Sequence, residues 1–181
     1  PWCVAQNYDD RRLVEAQYDA AKRWIEYIHA RNPSLIWEKS RGNDYGDWLN
    51  SDTLRLEGFP TKGGEVPKEI FATVNFEAST RIVSRMADAI GKKDEAEQLR
   101  ALADKIREAF AARFIAPDGA MPGNTQAGYA LALKYDLCPS GVRQAMVGRL
   151  LAAIEERGGH LSTGFHSTVP MMDALVDSGH A

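Results

Sequence analysis

Residues 67–114 carry the pattern that decides the fold: PKEIFATVNFEASTRIVSRMADAIGKKDEAEQLRALADKIREAFAARF. Apolar residues recur every three or four positions on both sides of Gly91, which predicts one helix that starts at Pro67 and a second from about Asp94 to Phe114. Proline suits the first turn of a helix, and glycine suits its end. A connection of only three residues makes neighbouring helices antiparallel, so this stretch predicts a helical hairpin.

Helical periodicity continues on both sides of this hairpin. The helix that precedes it has apolar residues on two sides, with Val14 and Ile25 on one and Trp24 and Tyr27 on the other, which predicts packing on two sides. Alternating apolar stretches are short, and the one candidate strand lies at 114–116 before a turn. The fold class is therefore all-α, with four further helices predicted at about 9–31, 126–135, 139–157 and 169–177.

The connections between the predicted helices alternate in length. Three are long or medium, and we call them the first loop (32–66), the second loop (115–125) and the third loop (158–168). The turns after Gly91 and at Leu137-Cys138 are short. In an up-and-down series of helices, the three loops then emerge at one end and the short turns at the other. The sequence thus predicts about three hairpins with a loop face, where binding sites are commonly built.

Composition limits the functions that this chain can have. Its 181 residues, 44% hydrophobic and 26% charged, predict a single globular unit over 1–181. The net charge of −3 and the lack of a basic run argue against nucleic-acid binding. No apolar stretch approaches the ~20 residues that span a bilayer. Cys3 and Cys138 lack metal-ligand spacing, as do His160 and His166, so neither a metal nor another cofactor is expected.

The first loop is unusually long and rich in aromatic residues. It contains Trp37, Tyr45, Trp48 and Phe59, which argues against disorder. In its segment 43–49, NDYGDWL, acidic and aromatic residues alternate around a glycine. Aromatic faces cover the C–H face of a sugar, and carboxylates accept hydrogen bonds from its hydroxyls, so the segment favours carbohydrate binding. The alternative is a covering loop whose Tyr45 and Trp48 are buried in the core.

The second and third loops offer weaker signals. Asn124 or Thr125 suits the N-cap of the following helix. In the third loop, Ser162 lies outside any nucleophile-elbow pattern, which argues against a serine hydrolase.

Four segments together resemble the bacterial α-L-rhamnosidase family, in the family's order and with compatible spacing. They run from one end of the chain to the other, so the resemblance spans essentially all of it: Pro1-Trp2 with Tyr8-Asp9-Asp10-Arg11-Arg12, Tyr45-Gly46-Asp47-Trp48-Leu49, Asn124 to Leu133 (NTQAGYALAL), and Gly158 to Phe165 (GGHLSTGF). The chain departs from the family pattern at Asn124, where Asp is frequent, and at His166-Ser167, where Gly is common.

The resemblance implies part of an (α/α)6 toroid of six helical hairpins with its active site at the loop-bearing end. It implies hydrolysis of terminal α-L-rhamnosyl residues with inversion. It places Trp48 in the rhamnose pocket, with Asp47 and Tyr45 beside it. The family's general acid lies in an R-D-E-R-type segment before the region matched here, and its general base lies in a W-E segment after it. Arg11-Arg12 and Trp37-Glu38 are not those motifs in that order, so neither segment is present here. We therefore expect a central fragment that needs the rest of its catalytic domain as a partner.

Two other functions remain open on the sequence. One is a six-hairpin glycosidase with a different sugar specificity. The other is a non-catalytic helical scaffold that binds a partner through the loop face, in which case Tyr45 and Trp48 should be buried. The natural glycoside, the compartment and the oligomeric state are not indicated.

Overall fold

The computed structural model describes residues 1–53 and 63–180, and within these ranges the regular structure is entirely helical. None of the helices in these ranges is long and apolar enough to cross a membrane. A short 3-10 turn, Ser140–Val142, precedes α6. The α-helices are α1 (Trp2–Tyr8), α2 (Arg12–Arg31), α3 (Lys68–Ala89), α4 (Lys93–Phe114), α5 (Gln126–Lys134), α6 (Arg143–Glu155) and α7 (Thr168–Asp177).

The six predicted helices are confirmed as α2 to α7, with ends that differ by a few residues. Helix α1 was not predicted, because seven residues are too few to establish a periodic pattern. The candidate strand at 114–116 is wrong. Phe114 ends α4, and the Ala116 N–H donates to the Ala120 carbonyl at 2.9 Å, so this segment closes a turn instead of pairing with a strand.

The helices form two rows. Helix α5 lies between α3 and α7 and contacts both in an inner row, while α2 and α4 pack on α3 and α6 packs on α5. Short turns join α3 to α4 and α5 to α6, which gives two complete hairpins. Helix α2 follows the short helix α1 after three residues, and α7 has no short-turn partner in the described ranges, so the helices amount to about the three hairpins expected.

The core is built around α5, whose residues 126–133 are all buried. The segment QAGYALAL contains no charged residue, which is why this helix can enter the interior. Tyr129 and Leu133 belong to one apolar cluster with Phe110, Leu150 and Met171. A second cluster joins α2, α3 and α4 through Tyr18, Ile25, Phe76, Met86 and Ile106.

The three loops gather at one end of the molecule, as predicted. A Cβ on Gly123, in the second loop, would lie 3.1 Å from Pro67 at the start of α3. Gln126, which begins α5, donates to the His160 carbonyl of the third loop at 3.0 Å. Because α3 and α5 both start at the loop face, the turns that follow their C-terminal ends lie in the opposite direction. At that far end, Arg11 donates to the Ala89 carbonyl at 3.2 Å.

One packing prediction for α2 is not met within the described residues. Val14 and Ile25 are buried as expected, but the opposite side of the helix stays largely in solvent. Trp24 and Tyr27 stack on each other with ring centroids 5.6 Å apart, and they remain 48% and 37% exposed. The second apolar stripe therefore forms a surface and not a second packed side.

Candidate functional site

The first and third loops are joined by their backbones. Phe165 donates its N–H to the Trp48 carbonyl at 2.7 Å, and Ser51 donates to the Ser162 carbonyl at 3.2 Å. Trp48 is bonded to Phe165 and Ser51 to Ser162, so the residue numbers rise along one segment as they fall along the other. The two segments therefore run in opposite directions. The sugar-binding segment predicted in the first loop is thus fixed to the third loop.

The Asp47 carboxylate locks this junction. One of its oxygens, Oδ2, accepts the Gly164 N–H at 2.7 Å, and the other accepts those of His166 at 3.1 Å and Ser167 at 3.0 Å. Ser167 is the N-cap of α7, so the negative charge also faces the positive end of that helix dipole. With only 1% of its surface exposed, Asp47 orders the backbone of the third loop from inside.

Gly164 makes the close approach of the two loops possible. A Cβ on this residue would lie 2.3 Å from the Asp47 carbonyl oxygen and 2.4 Å from that of Trp48. Both distances are far below van der Waals contact, and a backbone cannot yield as a flexible side chain can. Only glycine fits here, and its role is space, not an unusual backbone angle.

Gln126 connects the second loop to the same junction. Its side-chain amide donates to the carbonyls of Ala153 at 3.1 Å and His160 at 3.0 Å, and its oxygen accepts the Ser162 N–H at 2.9 Å. Sequence reasoning missed this residue. The available signal was a glutamine that opens an otherwise apolar, fully buried helix, because a buried polar side chain needs hydrogen-bond partners.

The second loop also caps α5 as predicted. Thr125 is the N-cap residue, and its hydroxyl accepts the Gly128 N–H at 3.0 Å. Asn124 has a positive φ of 45° and accepts a hydrogen bond from the Tyr129 hydroxyl at 2.8 Å. Both residues therefore hold the local conformation of the second loop, Thr125 from a buried position and Asn124 from an exposed one.

Two predicted binding residues of the first loop stand in solvent at this junction. Tyr45 is 73% exposed and Trp48 is 53% exposed, so the alternative in which both are core residues is wrong. Between them, the buried Asp47 supports the loop. Their direct contact with a sugar stays a prediction. Trp37 belongs to the core side of the loop, where its ring meets Phe76 edge-on at 6.4 Å. Phe59 lies outside the described residues.

Phe165 adds a third exposed aromatic side chain that sequence reasoning did not single out. It is 71% exposed, although its backbone is bonded directly to that of Trp48. Its neighbour His166 meets the ring edge-on at 5.3 Å and tilts over Phe71 of α3 at 5.8 Å. The loop face therefore presents exposed aromatic side chains on a backbone that is held by hydrogen bonds between the first and third loops.

The carboxylates of the first loop are mostly engaged in holding its shape. Asp44 accepts the Gly46 N–H at 2.8 Å and pairs with Arg41 at 3.4 Å. Asp47 is engaged as described, and Glu38 is exposed. Within residues 1–53 and 63–180, no group of three or more His, Cys, Asp or Glu side chains is placed to hold a metal ion.

A charged cavity of about 420 Å³ lies farther along α3, lined by residues that include Glu77, Arg81, Arg107 and Lys134. Arg81 pairs with buried Glu77 at 2.5 Å and reaches Asp104 at 3.2 Å. Burial raises the pKa of Glu77, while the Arg81 hydrogen bond opposes that rise. Lys134 pairs with Asp173 at 2.8 Å. Two of these ion pairs join neighbouring helices, Arg81 to Asp104 between α3 and α4 and Lys134 to Asp173 between α5 and α7.

Comparison with known proteins points to one family. The model of the bacterial α-L-rhamnosidase six-hairpin glycosidase domain matches residues 1–181. The α-L-rhamnosidase of Streptomyces avermitilis is 34% identical over 180 residues, which is 99% of this chain and 16% of that protein. The chain thus spans about one sixth of the length of that relative.

Solved structures agree with this comparison. The crystal structure of the Streptomyces avermitilis α-L-rhamnosidase, complexed with L-rhamnose, matches 99% of this chain and 16% of that chain with a TM-score of 0.85. The native α-L-rhamnosidase from Aspergillus terreus, 26% identical, matches 99% of this chain and 20% of that chain with a TM-score of 0.86. The helical rows and the loop face described above are therefore those of rhamnosidase structures.

Proposed function

The chain belongs to the bacterial α-L-rhamnosidase six-hairpin glycosidase domain family, and from this membership we propose that it is part of an inverting α-L-rhamnosidase. Its substrate is a glycoside or oligosaccharide with a terminal α-L-rhamnosyl residue. In this proposal the chain supplies a sugar-binding wall, made by Trp48 with Tyr45 beside it. The rest of the catalytic domain is its partner and supplies the acid and the base.

The observation that carries the proposal is the exposed indole of Trp48 on a backbone held by buried contacts. Asp47 fixes the adjoining loop with three hydrogen bonds, and Phe165 bonds to the Trp48 carbonyl. A binding residue that is already ordered loses little conformational entropy when the ligand arrives. The flat face of the indole can then cover the apolar C–H face of the sugar.

Asp47 takes a supporting role in this proposal. Its oxygens are directed at backbone N–H groups inside the protein, so it acts on the sugar through the position of Trp48 and of the third loop. Tyr45 is exposed two residues earlier and offers a hydroxyl that can donate or accept a hydrogen bond at the sugar's edge.

The chemistry requires two carboxyl groups that this chain is not expected to supply. An inverting glycosidase needs a general acid at the leaving oxygen and a general base on water, about 6.5–9.5 Å apart. Asp44 and Asp47 are committed to the loop, and neither the upstream R-D-E-R segment nor the downstream W-E segment of the family is matched in these 181 residues. The chain's contribution is therefore orientation of the rhamnosyl ring.

The test compares wild-type full-length enzyme with Trp48→Ala on an aryl α-L-rhamnoside. Loss of the stacking surface should lower kcat/KM by roughly ten- to a hundredfold, because an apolar contact of this size is worth about 1–3 kcal/mol. Product inhibition by L-rhamnose should weaken in parallel, and Trp48→Phe should recover part of both. Tyr8→Ala, an 80% exposed aromatic residue of α1 near the far end, is the matched control.

Two results would contradict the proposal. A wild-type enzyme that hydrolyses other aryl glycosides but not the rhamnoside would favour a six-hairpin glycosidase of different specificity. Unchanged kcat/KM and rhamnose inhibition in Trp48→Ala would remove the first loop from the binding site.

A further inference from the structure

We propose that Phe165 is the binding platform for the leaving group, next to the rhamnose wall, and that it favours leaving groups with a flat apolar face. The proposal rests on the proposed function, because a leaving group exists only if the protein is a glycosidase. It assigns to Phe165 a part in specificity that is separate from recognition of the rhamnosyl ring.

The first step is the position of Phe165 relative to Trp48. The Phe165 N–H donates to the Trp48 carbonyl at 2.7 Å, in segments that run antiparallel. Two residues joined by a backbone hydrogen bond have Cα atoms about 5–6 Å apart, and both Trp48 and Phe165 are exposed at the loop face. Two rings joined by a glycosidic bond have a similar spacing. A ligand whose sugar lies on Trp48 therefore extends its next ring toward Phe165.

The second step is the rigidity of the Phe165 backbone. The residues on both sides of it, Gly164 and His166, donate their N–H groups to the Asp47 carboxylate. The imidazole of His166 meets the Phe165 ring edge-on at 5.3 Å and is itself tilted over Phe71 at 5.8 Å. The ring is thus braced from one side, while 71% of the residue's surface stays accessible.

The third step is the chemistry of the ring. A phenyl group offers no hydrogen bond, so it cannot recognise the hydroxyl pattern of a rhamnosyl residue. It gains free energy by covering flat apolar surface, as an aryl group or the C–H face of a second sugar provides. The hydroxyl-reading groups of the proposed site belong to other residues, among them Tyr45. Phe165 therefore fits the leaving-group side of the bond.

The experiment measures kcat/KM of the full-length enzyme on an aryl α-L-rhamnoside and on methyl α-L-rhamnoside, together with inhibition by free L-rhamnose. Phe165→Ala should lower kcat/KM for the aryl substrate about tenfold, since one apolar contact is lost. The methyl substrate and the rhamnose inhibition constant should change less than about twofold. Phe165→Tyr keeps the ring and should retain the preference for the aryl substrate.

Controls separate this inference from a folding effect and from the proposed function itself. Tyr8→Ala removes an exposed aromatic residue elsewhere and should leave the aryl-to-methyl ratio unchanged. Phe165→Leu keeps apolar volume without a flat ring, so it should also lose the aryl preference, and it carries the test if the alanine variant does not fold. Trp48→Ala should weaken rhamnose inhibition, which Phe165→Ala should not.

Three outcomes would overturn the inference. The first is an unchanged aryl-to-methyl ratio in Phe165→Ala and Phe165→Leu, which would mean that another part of the enzyme covers this ring. The second is equal loss on both substrates with weaker rhamnose inhibition, which would place Phe165 with the rhamnosyl ring. The third is a wild-type enzyme that is inactive on both rhamnosides. This result needs no variant and would contradict the proposed function as well.

Discussion

At the scale of single residues, a carboxylate in a binding loop can act by ordering backbone. Asp47 accepts N–H groups from Gly164, His166 and Ser167, and a buried N–H without an acceptor would cost free energy. A charged acceptor is stronger than a neutral one, and the start of α7 adds a favourable dipole. The exposed Trp48 next to it thereby gains a defined position without being packed in the core.

We predict that Asp47→Asn disturbs the loop although the two side chains are nearly equal in size. The amide NH2 would take the place of one carboxylate oxygen, so at least one of the three hydrogen bonds is lost. In its place, the NH2 donor would face a backbone N–H donor. Bonds to charged groups are worth about 1.5–3 kcal/mol, so kcat/KM of the full-length enzyme on an aryl rhamnoside should fall roughly ten- to a hundredfold. The effect should appear mainly as a higher KM and weaker rhamnose inhibition.

Asp173→Asn is the control for the Asp47 variant. Asp173 lies on α7, whose start Asp47 contacts, and forms a partly exposed ion pair with Lys134 of α5. Exposed ion pairs contribute little to stability. Kinetics of the control should match wild type. If Asp47→Asn also matched wild type in KM and in rhamnose inhibition, the carboxylate would not position the sugar wall.

At the scale of helices, the outer pair α2 and α4 is joined by polar contacts around Glu95. Its carboxylate accepts hydrogen bonds from Lys22 at 2.5 Å and from the Tyr18 hydroxyl at 3.0 Å, and it pairs with Lys92 at 3.3 Å. These contacts, the Lys22 hydrogen bond foremost, lower the pKa of Glu95 from its usual 4.5 to about 2. The apolar cluster beneath holds the same helices from inside.

The lowered pKa predicts an acid-dependent contribution of Glu95 to stability. Because its folded pKa lies below its unfolded pKa, the stabilisation is fully present above about pH 5 and is lost as the pH falls toward 2. We expect Glu95→Gln to melt at a lower temperature than wild type near pH 7, and the difference to shrink steadily below pH 5. Thermal unfolding of both proteins from pH 7 to pH 2.5 measures this difference in melting temperature.

Glu97→Gln provides the comparison for Glu95, because Glu97 is an exposed carboxylate on the same helix. Its melting temperature should follow wild type across the range. The melting temperatures of Glu95→Gln and wild type could instead differ by the same amount from pH 7 to pH 2.5. That result would mean that the charge of Glu95 does not stabilise the helix pair.

At the scale of the whole molecule, the two flanking helices leave apolar surface in solvent. Leu13, Trp24 and Tyr27 form such a surface on α2, and Val169, Met172 and Val176 form one on α7. Both helices lie at the ends of the double row. In the proposed toroid these are the surfaces against which neighbouring hairpins pack. Contiguous exposed apolar patches otherwise favour association.

We therefore predict that these 181 residues made alone are helical, associate in solution, and do not hydrolyse rhamnosides. General acid and base groups contribute about 10²–10⁴-fold each, and orientation of the sugar cannot replace them. Circular dichroism, light scattering after size exclusion, and an aryl α-L-rhamnoside assay beside the full-length enzyme make the comparison. Stoichiometric turnover by a monomeric chain would place the catalytic pair inside it, with Asp44, Asp47 and Glu38 as the first carboxylates to examine.

The sequence by itself determined the helices and the loop face. Periodicity and turn residues are local properties, so the hairpin at 67–114, the short helix at about 126–135 and the alternating loop lengths could be read directly. The family motifs pointed to Trp48 and Tyr45. It missed α1, which is too short for a periodic signal, and it expected a second packed side of α2.

Only the tertiary structure decided what the loop residues do. Asp47 and its three donors are 117 to 120 residues apart in the chain, and Gln126 reaches carbonyls 27 and 34 residues away. No local pattern distinguishes a carboxylate that faces solvent from one that binds distant backbone. The same holds for the glycine at 164 and the exposed ring of Phe165, because their roles arise from the approach of two loops that are separate until the helices pack.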